Sequence, residues 1–177
     1  MSGDHPKPLS GQPVGQVIDG FRVAVVNDRA VRFAARILFG VGVAGWTVAV
    51  STGNFTFARA FAVLFLFEMG VRIGAGARYA PLYAFGAFLY RRRAPTWVGA
   101  PQKAFAWGLG FALSITACFA FGWLNLPVVA LSICALCLGI LGAEALFGWC
   151  LGCAIHGRLW PEKTFHCADG SCEVHAH

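Results

Sequence analysis

Charged residues are scarce in this chain of 177 residues. Only 12% of the residues are Asp, Glu, Lys or Arg, against about one quarter in a soluble globular domain, and 58% are hydrophobic. This shortage excludes a disordered chain, a coiled coil and an ordinary soluble enzyme, and it favours a polytopic membrane protein. Acidic residues are fewer than basic ones, with 8 Asp and Glu against 14 Lys and Arg. In a membrane protein such an excess of Lys and Arg is typical of cytoplasmic loops.

Common catalytic motifs are also missing. The sequence contains no phosphate-binding loop, no metalloprotease helix motif, no Ser-His-Asp pattern and no dinucleotide fingerprint. Its basic residues flank apolar stretches and do not form a soluble binding face, so we expect no nucleic-acid partner. The sequence therefore matches none of these common classes of catalytic or nucleotide-binding protein.

Long uncharged stretches predict an all-α fold, a polytopic bundle of four transmembrane helices. The spans are expected at about residues 33–50, 55–73, 104–123 and 127–156, near the roughly 20 residues that a bilayer needs. Asn125-Leu126-Pro127 supplies the turn that separates the last two. The fourth span is longer than a bilayer requires, so we expect it to be tilted, kinked at its glycines or extended beyond the membrane.

The connector between spans two and three is basic and broken. Residues 79–90 within it are aromatic and apolar but too short to cross a bilayer. We therefore expect an interfacial or re-entrant helix at this position.

The basic residues predict orientation. They precede span one, lie between spans two and three and follow span four, whereas the other two loops have none. By the positive-inside rule both termini are cytoplasmic. The chain is thus divided into a polar tail with an interfacial segment (1–25), a four-span membrane domain (26–158) and a cytoplasmic Cys/His-rich tail (159–177).

Seven cysteines are many for this length, and one pair is of special interest. Cys150 and Cys153 lie near the expected cytoplasmic mouth of span four, on one helix face that His156 extends. Two thiols and an imidazole on one stripe suit thiol exchange, acceptance of a sulfane sulfur or ligation of a soft metal. The pair lies toward the carboxyl end of span four, where the helix dipole disfavours a thiolate. The sequence does not decide whether Cys150 and Cys153 have a functional or a structural role.

The carboxyl-terminal tail concentrates further thiols and imidazoles. Its candidate metal ligands are His166, Cys167, Cys172, His175 and His177. Such soft ligands suit zinc or copper(I), although their spacing matches no standard structural zinc module. Two alternatives stay open: a mobile thiol pair that reaches Cys150 and Cys153, and a disordered end that binds metal only adventitiously.

Ionisable residues inside the predicted spans are few and costly. Glu68 and Arg72 are four residues apart in span two and can pair on one helix face. Glu144 lies in span four at a depth similar to that of Arg72, so we expect these two to pair, with Glu68 competing for the arginine. We interpret the three residues as a structural polar lock between helices, with a functional intramembrane site as the alternative.

Four segments together resemble a known family. They are Asn27-Asp28-Arg29-Ala30-Val31-Arg32-Phe33-Ala34-Ala35, Arg78-Tyr79-Ala80-Pro81-Leu82-Tyr83, Pro101-Gln102-Lys103-Ala104-Phe105-Ala106 and Phe147-Gly148-Trp149-Cys150-Leu151-Gly152-Cys153. Over about residues 26–158 their order resembles the bacterial integral-membrane family catalogued as domain of unknown function 4395. The resemblance implies a small multi-span protein of the bacterial inner membrane with a paired cysteine in its last helix. It implies no established activity, although some relatives are associated with thioredoxin-like or sulfur-transfer proteins.

Three functions therefore stay open, and whether the protein is an enzyme is undecided. The first is thiol–disulfide or sulfane-sulfur transfer at Cys150 and Cys153 with a soluble thioredoxin-like or sulfur-transfer partner. The second is binding or delivery of zinc or copper by the tail together with Cys150, Cys153 and His156. The third is an accessory subunit of an oligomer or a larger membrane complex, in which the cysteines only pack.

Overall fold

The computed structural model describes residues 14–16 and 24–159, and helices dominate this part of the chain. They are α1 (Asp28–Thr52), α2 (Thr56–Val71), α3 (Pro81–Leu89), α4 (Ala100–Gly122), α5 (Pro127–Phe147) and α6 (Leu151–Leu159). By length and composition, four helical stretches can cross a membrane, namely α1, α2 with its continuation into α3, α4 and α5. This confirms the predicted all-α bundle with four spans.

Local chemistry sets where the spans begin and end. Asn27 caps α1, because its side-chain oxygen accepts a hydrogen bond from the backbone N–H of Arg29 at 3.1 Å. Gly53 ends the same helix in the left-handed conformation with φ +70°, a conformation that glycine adopts at little cost. Pro127 opens α5, where its fixed φ suits a helix and its missing N–H costs nothing.

The four long helices pack in a ring, in which α1 contacts α2 and α5, and α4 contacts the same two. Leu38, Phe61 and Leu138 lie in the buried core between them. Gly42 permits close approach of α1, since a Cβ there would lie 2.5 Å from Leu138 and 2.6 Å from Phe61. Many large apolar side chains point outward instead, as expected for helices in contact with acyl chains.

A short helix does connect spans two and three, as the sequence predicts. Helix α2 continues through a wider π-type turn at Arg72–Gly76 and a tight 3₁₀ turn at Ala77–Tyr79 before α3 begins at Pro81. Helix α3 packs on the start of α1, where a Cβ on Gly86 would lie 3.0 Å from the carbonyl oxygen of Ala30.

A small β-ribbon was not predicted from the sequence. Strand β1 (Val25–Asn27) pairs antiparallel with β2 (Trp97–Gly99). Strands of three residues are too short to produce a recognisable alternation of polar and apolar positions. The ribbon ties the start of α1 to the start of α4, and it thereby brings Asp28 close to Lys103.

The sequence predicts a fourth span over residues 127–156, but the structure does not form one continuous helix there. Helix α5 ends at Phe147, and Gly148 takes the left-handed conformation with φ +70°. The N–H of Gly148 still bonds to the carbonyl of Glu144, after which the chain leaves the helix and starts again as α6. The break at Gly148 confirms one of the three alternatives left open, a kink at a glycine.

One end of the bundle collects almost all the described positive charge. The start of α1, the end of α2, all of α3, the start of α4, the end of α5 and α6 meet there, and we call it the basic end. Its Lys and Arg residues are Arg29, Arg32, Arg36, Arg72, Arg78, Arg91, Arg92, Arg93, Lys103 and Arg158. Arg59, in the first turn of α2, is the one described basic residue at the opposite end.

Candidate functional site

Cys150 occupies the N-cap position of α6. Its carbonyl accepts the first helical hydrogen bond, from the N–H of Ala154 at 3.0 Å. Its Sγ accepts a second hydrogen bond, from the backbone N–H of Cys153 at 3.3 Å. Sulfur here takes the place of the oxygen that normally caps a helix.

This placement reverses the electrostatic expectation for the cysteine pair. The sequence-based argument put Cys150 and Cys153 near a helix carboxyl end, where the dipole opposes a thiolate, and that was wrong. The break at Gly148 separates the pair from α5, so Cys150 lies at the amino end of α6. Amino ends of helices favour negative charge, because unpaired N–H groups and the helix dipole both point toward it.

The two thiols differ in acidity. The hydrogen bond from the Cys153 thiol, helped by the ammonium of Lys103 and the Cys153 N–H, lowers the pKa of Cys150 against the opposing effects of burial and of the Glu144 charge. The same hydrogen bond, together with burial and repulsion from charge on Cys150, raises the pKa of Cys153. The first thiolate therefore forms on Cys150, while Cys153 keeps its proton.

An ion network surrounds Lys103 beside this pair. The ammonium lies 2.5 Å from Oε1 of Glu144 and 3.2 Å from Oδ1 of Asp28. Asp28 also forms an ion pair with Arg32, one turn along α1, with 2.5 Å between Oδ2 of Asp28 and Nε of Arg32. The Lys103 side chain is only 5% exposed. A buried cation of this kind requires such partners, and they hold it in place.

Glu144 does not pair with Arg72, contrary to the expectation from the sequence. Matching depths along α2 and α5 suggested that pair, but the carboxylate of Glu68 already holds Arg72, with Nη2 at 2.7 Å and Nε at 3.2 Å from Oε1. Glu144 is left for Lys103, which lies inside α4 because that helix begins at Ala100, earlier than predicted.

Glu68 also holds α3 in place. Its two carboxylate oxygens accept hydrogen bonds at 3.3 Å from the backbone N–H groups of Leu82 and Tyr83, in the first turn of α3. The guanidinium of Arg72 lies over the ring of Trp107, 5.2 Å from its centre. Glu68 and Arg72 thus form the predicted pair on one helix face, and their partners explain how both charges are buried.

A small cavity reaches the site from inside the bundle. Its volume is about 50 Å³, enough for a few water molecules. Cys150, Glu144 and Arg72 line it together with Cys137 and Trp107. The thiol that the electrostatics favour as thiolate therefore borders the same space as the carboxylate of the ion network.

The proposed metal ligands are only partly covered by the structure. His156 is mostly buried, with its ring 5.7 Å from that of Phe105. Within residues 14–16 and 24–159, no three His, Cys, Asp or Glu side chains come together as a metal site. The five ligands predicted in the tail, His166, Cys167, Cys172, His175 and His177, lie outside the described residues.

Sequence reasoning missed Asp28 and Lys103 as site residues. Neither residue lies inside a predicted span, and only the ionisable residues within the spans were considered as partners of one another. One signal was available, since both belong to the segments that carry the family resemblance.

Comparison with known proteins gives one positive result. A search of the curated proteins found no match, and neither did a search of the solved structures. A family model described as "Domain of unknown function (DUF4395)" matches residues 26–160. The match spans the four long helices, the ion network and the cysteine pair. The chain is therefore a member of the family defined by domain of unknown function 4395.

Proposed function

We propose that this membrane protein carries out thiol–disulfide exchange, with Cys150 as the nucleophile and Cys153 as the resolving thiol. The observation that carries the proposal is the position of the Cys150 sulfur, which caps α6 and accepts the N–H of Cys153 at 3.3 Å. A sulfur at a helix amino end beside a fixed cation is where a reactive thiolate is favoured.

The exchange is a pair of substitutions at sulfur. The Cys150 thiolate attacks a disulfide of a soluble, thioredoxin-like partner, forming a mixed disulfide and releasing one partner thiolate. The Cys153 thiol then loses its proton to water and attacks the Cys150 sulfur, which expels the second partner thiolate. The pair ends as a disulfide, having given up two electrons, and both partner thiolates take up protons as the partner is reduced. The reverse sequence reduces the pair.

Lys103 has a supporting role in this scheme. Before the attack it stabilises the Cys150 thiolate, and its two carboxylate partners keep its ammonium at a fixed place. In the mixed disulfide Cys150 carries no charge, so Cys153 loses both the hydrogen bond to the Cys150 thiolate and the repulsion from its charge, two of the causes that raise the pKa of Cys153. The resolving thiol becomes easier to ionise at the step that requires it.

Sulfane-sulfur transfer is the second substrate class that the same thiolate suits. Cys150 would take the outer sulfur of a persulfide donor, leaving the donor as a thiolate and Cys150 as a persulfide. Both versions begin with the same nucleophile, and a soluble sulfur-transfer partner replaces the thioredoxin-like one.

We place the site on the cytoplasmic side of a bacterial inner membrane. The distribution of charge supports this, because the basic end carries the described Lys and Arg residues apart from Arg59. In the cytoplasm the pair would be reduced at rest. Binding of zinc or copper by the tail stays a prediction, as does a role as subunit of a larger complex.

Trapping of the mixed disulfide tests the proposal. The Cys153→Ser variant, treated in inverted membrane vesicles with glutathione disulfide, should retain one glutathione on Cys150, seen as an added mass on the intact protein. Wild-type protein should instead release it and form the internal disulfide. Cys150→Ser should trap nothing at this pair, and Cys137→Ser, which removes another thiol bordering the cavity, should behave as wild type. Absence of an adduct in Cys153→Ser would refute the proposal.

A further inference from the structure

Helix α3 has two different faces. Tyr83 and Gly86 are buried against the start of α1. The opposite stripe consists of Phe85, Phe88 and Leu89, which are 57%, 60% and 55% exposed. Spacings of three and four residues place these apolar side chains on one face, so α3 presents an apolar surface away from the bundle.

Three consecutive arginines follow this helix directly. Arg91, Arg92 and Arg93 are all exposed. The guanidinium of Arg91 lies 4.6 Å from the ring centre of Phe88, and that of Arg93 lies 5.7 Å from the ring centre of Tyr90. A guanidinium over an aromatic ring keeps its in-plane N–H donors for an anion.

No carboxylate within the described part of the chain neutralises these arginines. The acidic residues there are Asp28, Glu68 and Glu144, and each is already held inside the protein. Asp28 and Glu144 hold Lys103, and Glu68 holds Arg72. Among the described residues, the positive charge after α3 is therefore a surplus that an external anion can balance.

We propose that α3 and the three arginines form a binding site for an anionic phospholipid. The headgroup phosphate would accept hydrogen bonds from Arg91, Arg92 and Arg93, and the acyl chains would lie along Phe85, Phe88 and Leu89. We call this surface the α3 lipid site.

The apolar stripe decides between a lipid and an acidic protein. A soluble acidic partner would match the arginines alone, whereas a phospholipid matches the arginines and the adjoining apolar side chains together. The contact of α3 with the first turn of α1 also places the site where a membrane span begins, which is the level of lipid headgroups.

The affinity of purified protein for a short-chain phosphatidylglycerol tests the site, with phosphatidylcholine of the same chain length as the neutral comparison. Native mass spectrometry counts the lipid retained. Arg92→Gln should weaken phosphatidylglycerol binding about 5-fold, and replacement of all three arginines by Gln on the order of 100-fold, since each basic residue near an anionic surface contributes about 1 kcal/mol. Phosphatidylcholine binding should change little.

Arg59→Gln is the matched control, because it removes the same charge at the opposite end of the bundle and should leave phosphatidylglycerol binding unchanged. The melting temperature in phosphatidylcholine nanodiscs reports whether the triple variant folds, and the single Arg92→Gln variant decides the matter if it does not. Equal retention of the two lipids by wild-type protein, or an equal loss in Arg59→Gln, would overturn the inference. The first of these results would leave the arginines to an acidic soluble partner.

Discussion

The ammonium of Lys103 lies 2.5 Å from the carboxylate of Glu144, and this ion pair joins α4 to α5 at the point where α5 ends. The same ammonium also pairs with Asp28 of α1, at 3.2 Å. Three of the four spans are thus fixed to one another by a single buried charge. After the hydrogen bond from the Cys153 thiol, that charge is the next cause that lowers the pKa of Cys150.

Removal of this cation should destabilise the protein more than removal of the Glu144 carboxylate. Lys103→Met leaves Glu144 without its cation and Asp28 with Arg32 alone. We expect a loss of about 3–5 kcal/mol, the usual cost of breaking a buried pair. Glu144→Gln should cost less, because Asp28 still partners Lys103 and the Glu144 side chain is 13% exposed. Melting in detergent or nanodiscs measures both.

Double variants identify the partner of Glu144. Losses from Lys103→Met and Glu144→Gln should fall short of additivity by about 0.5–3 kcal/mol, since each change breaks the same contact. Arg72→Met with Glu144→Gln should be additive, because Arg72 pairs with Glu68. Coupling between Arg72 and Glu144 would restore the pairing expected from the sequence.

Loss of the Glu68 charge should release α3. Glu68→Gln leaves Arg72 without a counter-charge and weakens two hydrogen bonds to the first turn of α3, at a cost of roughly 3–5 kcal/mol for the buried pair. Hydrogen exchange at the amides of Leu82 and Tyr83 should speed up more than exchange in α5. Unchanged protection of those two amides would show that α3 does not depend on Glu68.

A methyl group between the two cysteines should displace α6. A Cβ on Gly152 would lie 2.5 Å from Cβ and 2.6 Å from Cα of Ala106 in α4. Backbone atoms cannot move aside cheaply, so Gly152→Ala should lower the melting temperature and slow exchange at Cys150. Gly108→Ala, in α4 with nothing within 4 Å of the added carbon, should be neutral or stabilising by up to about 1 kcal/mol. Equal behaviour of the two variants would contradict the close packing.

The sequence predicts the spans well, because the signal for them is long and simple. Uncharged runs and basic flanks locate α1, α2, α4 and the start of α5 to within a few residues, whereas α5 ends at Phe147 and not at the predicted 156. Family membership follows from several segments that lie far apart along the chain.

The chemistry of the site is harder to predict, since it depends on single residues. Gly148 takes a left-handed conformation that turns the end of one helix into the start of another, and nothing in composition separates it from the other glycines of the spans. The Lys103–Glu144 pair forms because α4 begins early enough to include Lys103 and because Arg72 is already paired with Glu68. The helix start and the pairing of Arg72 depend on contacts between helices, which residue spacing along one helix does not reveal.

Acidity of the pair links reactivity to pH. Since the folded pKa of Cys150 is lowered, its thiolate contributes stability that is present above the ordinary thiol pKa of about 8.5. That contribution is lost as pH falls through the folded value. Replacement of Lys103 removes one of the causes, so the reactive form of Cys150 should then require a higher pH.

The rate at which an impermeant maleimide alkylates Cys150, followed against pH in inverted membrane vesicles, tests the central claim most directly. Fragmentation of the labelled peptide by mass spectrometry assigns the label to Cys150 or Cys153, so the Cys153 thiol, whose hydrogen bond lowers the pKa of Cys150, stays in place. The account predicts that Cys150 reacts with a midpoint below the ordinary thiol value of about 8.5, and that Lys103→Met moves this midpoint upward. A Cys150 that fails to react after reduction, or that titrates at or above the ordinary value with and without Lys103, would contradict it.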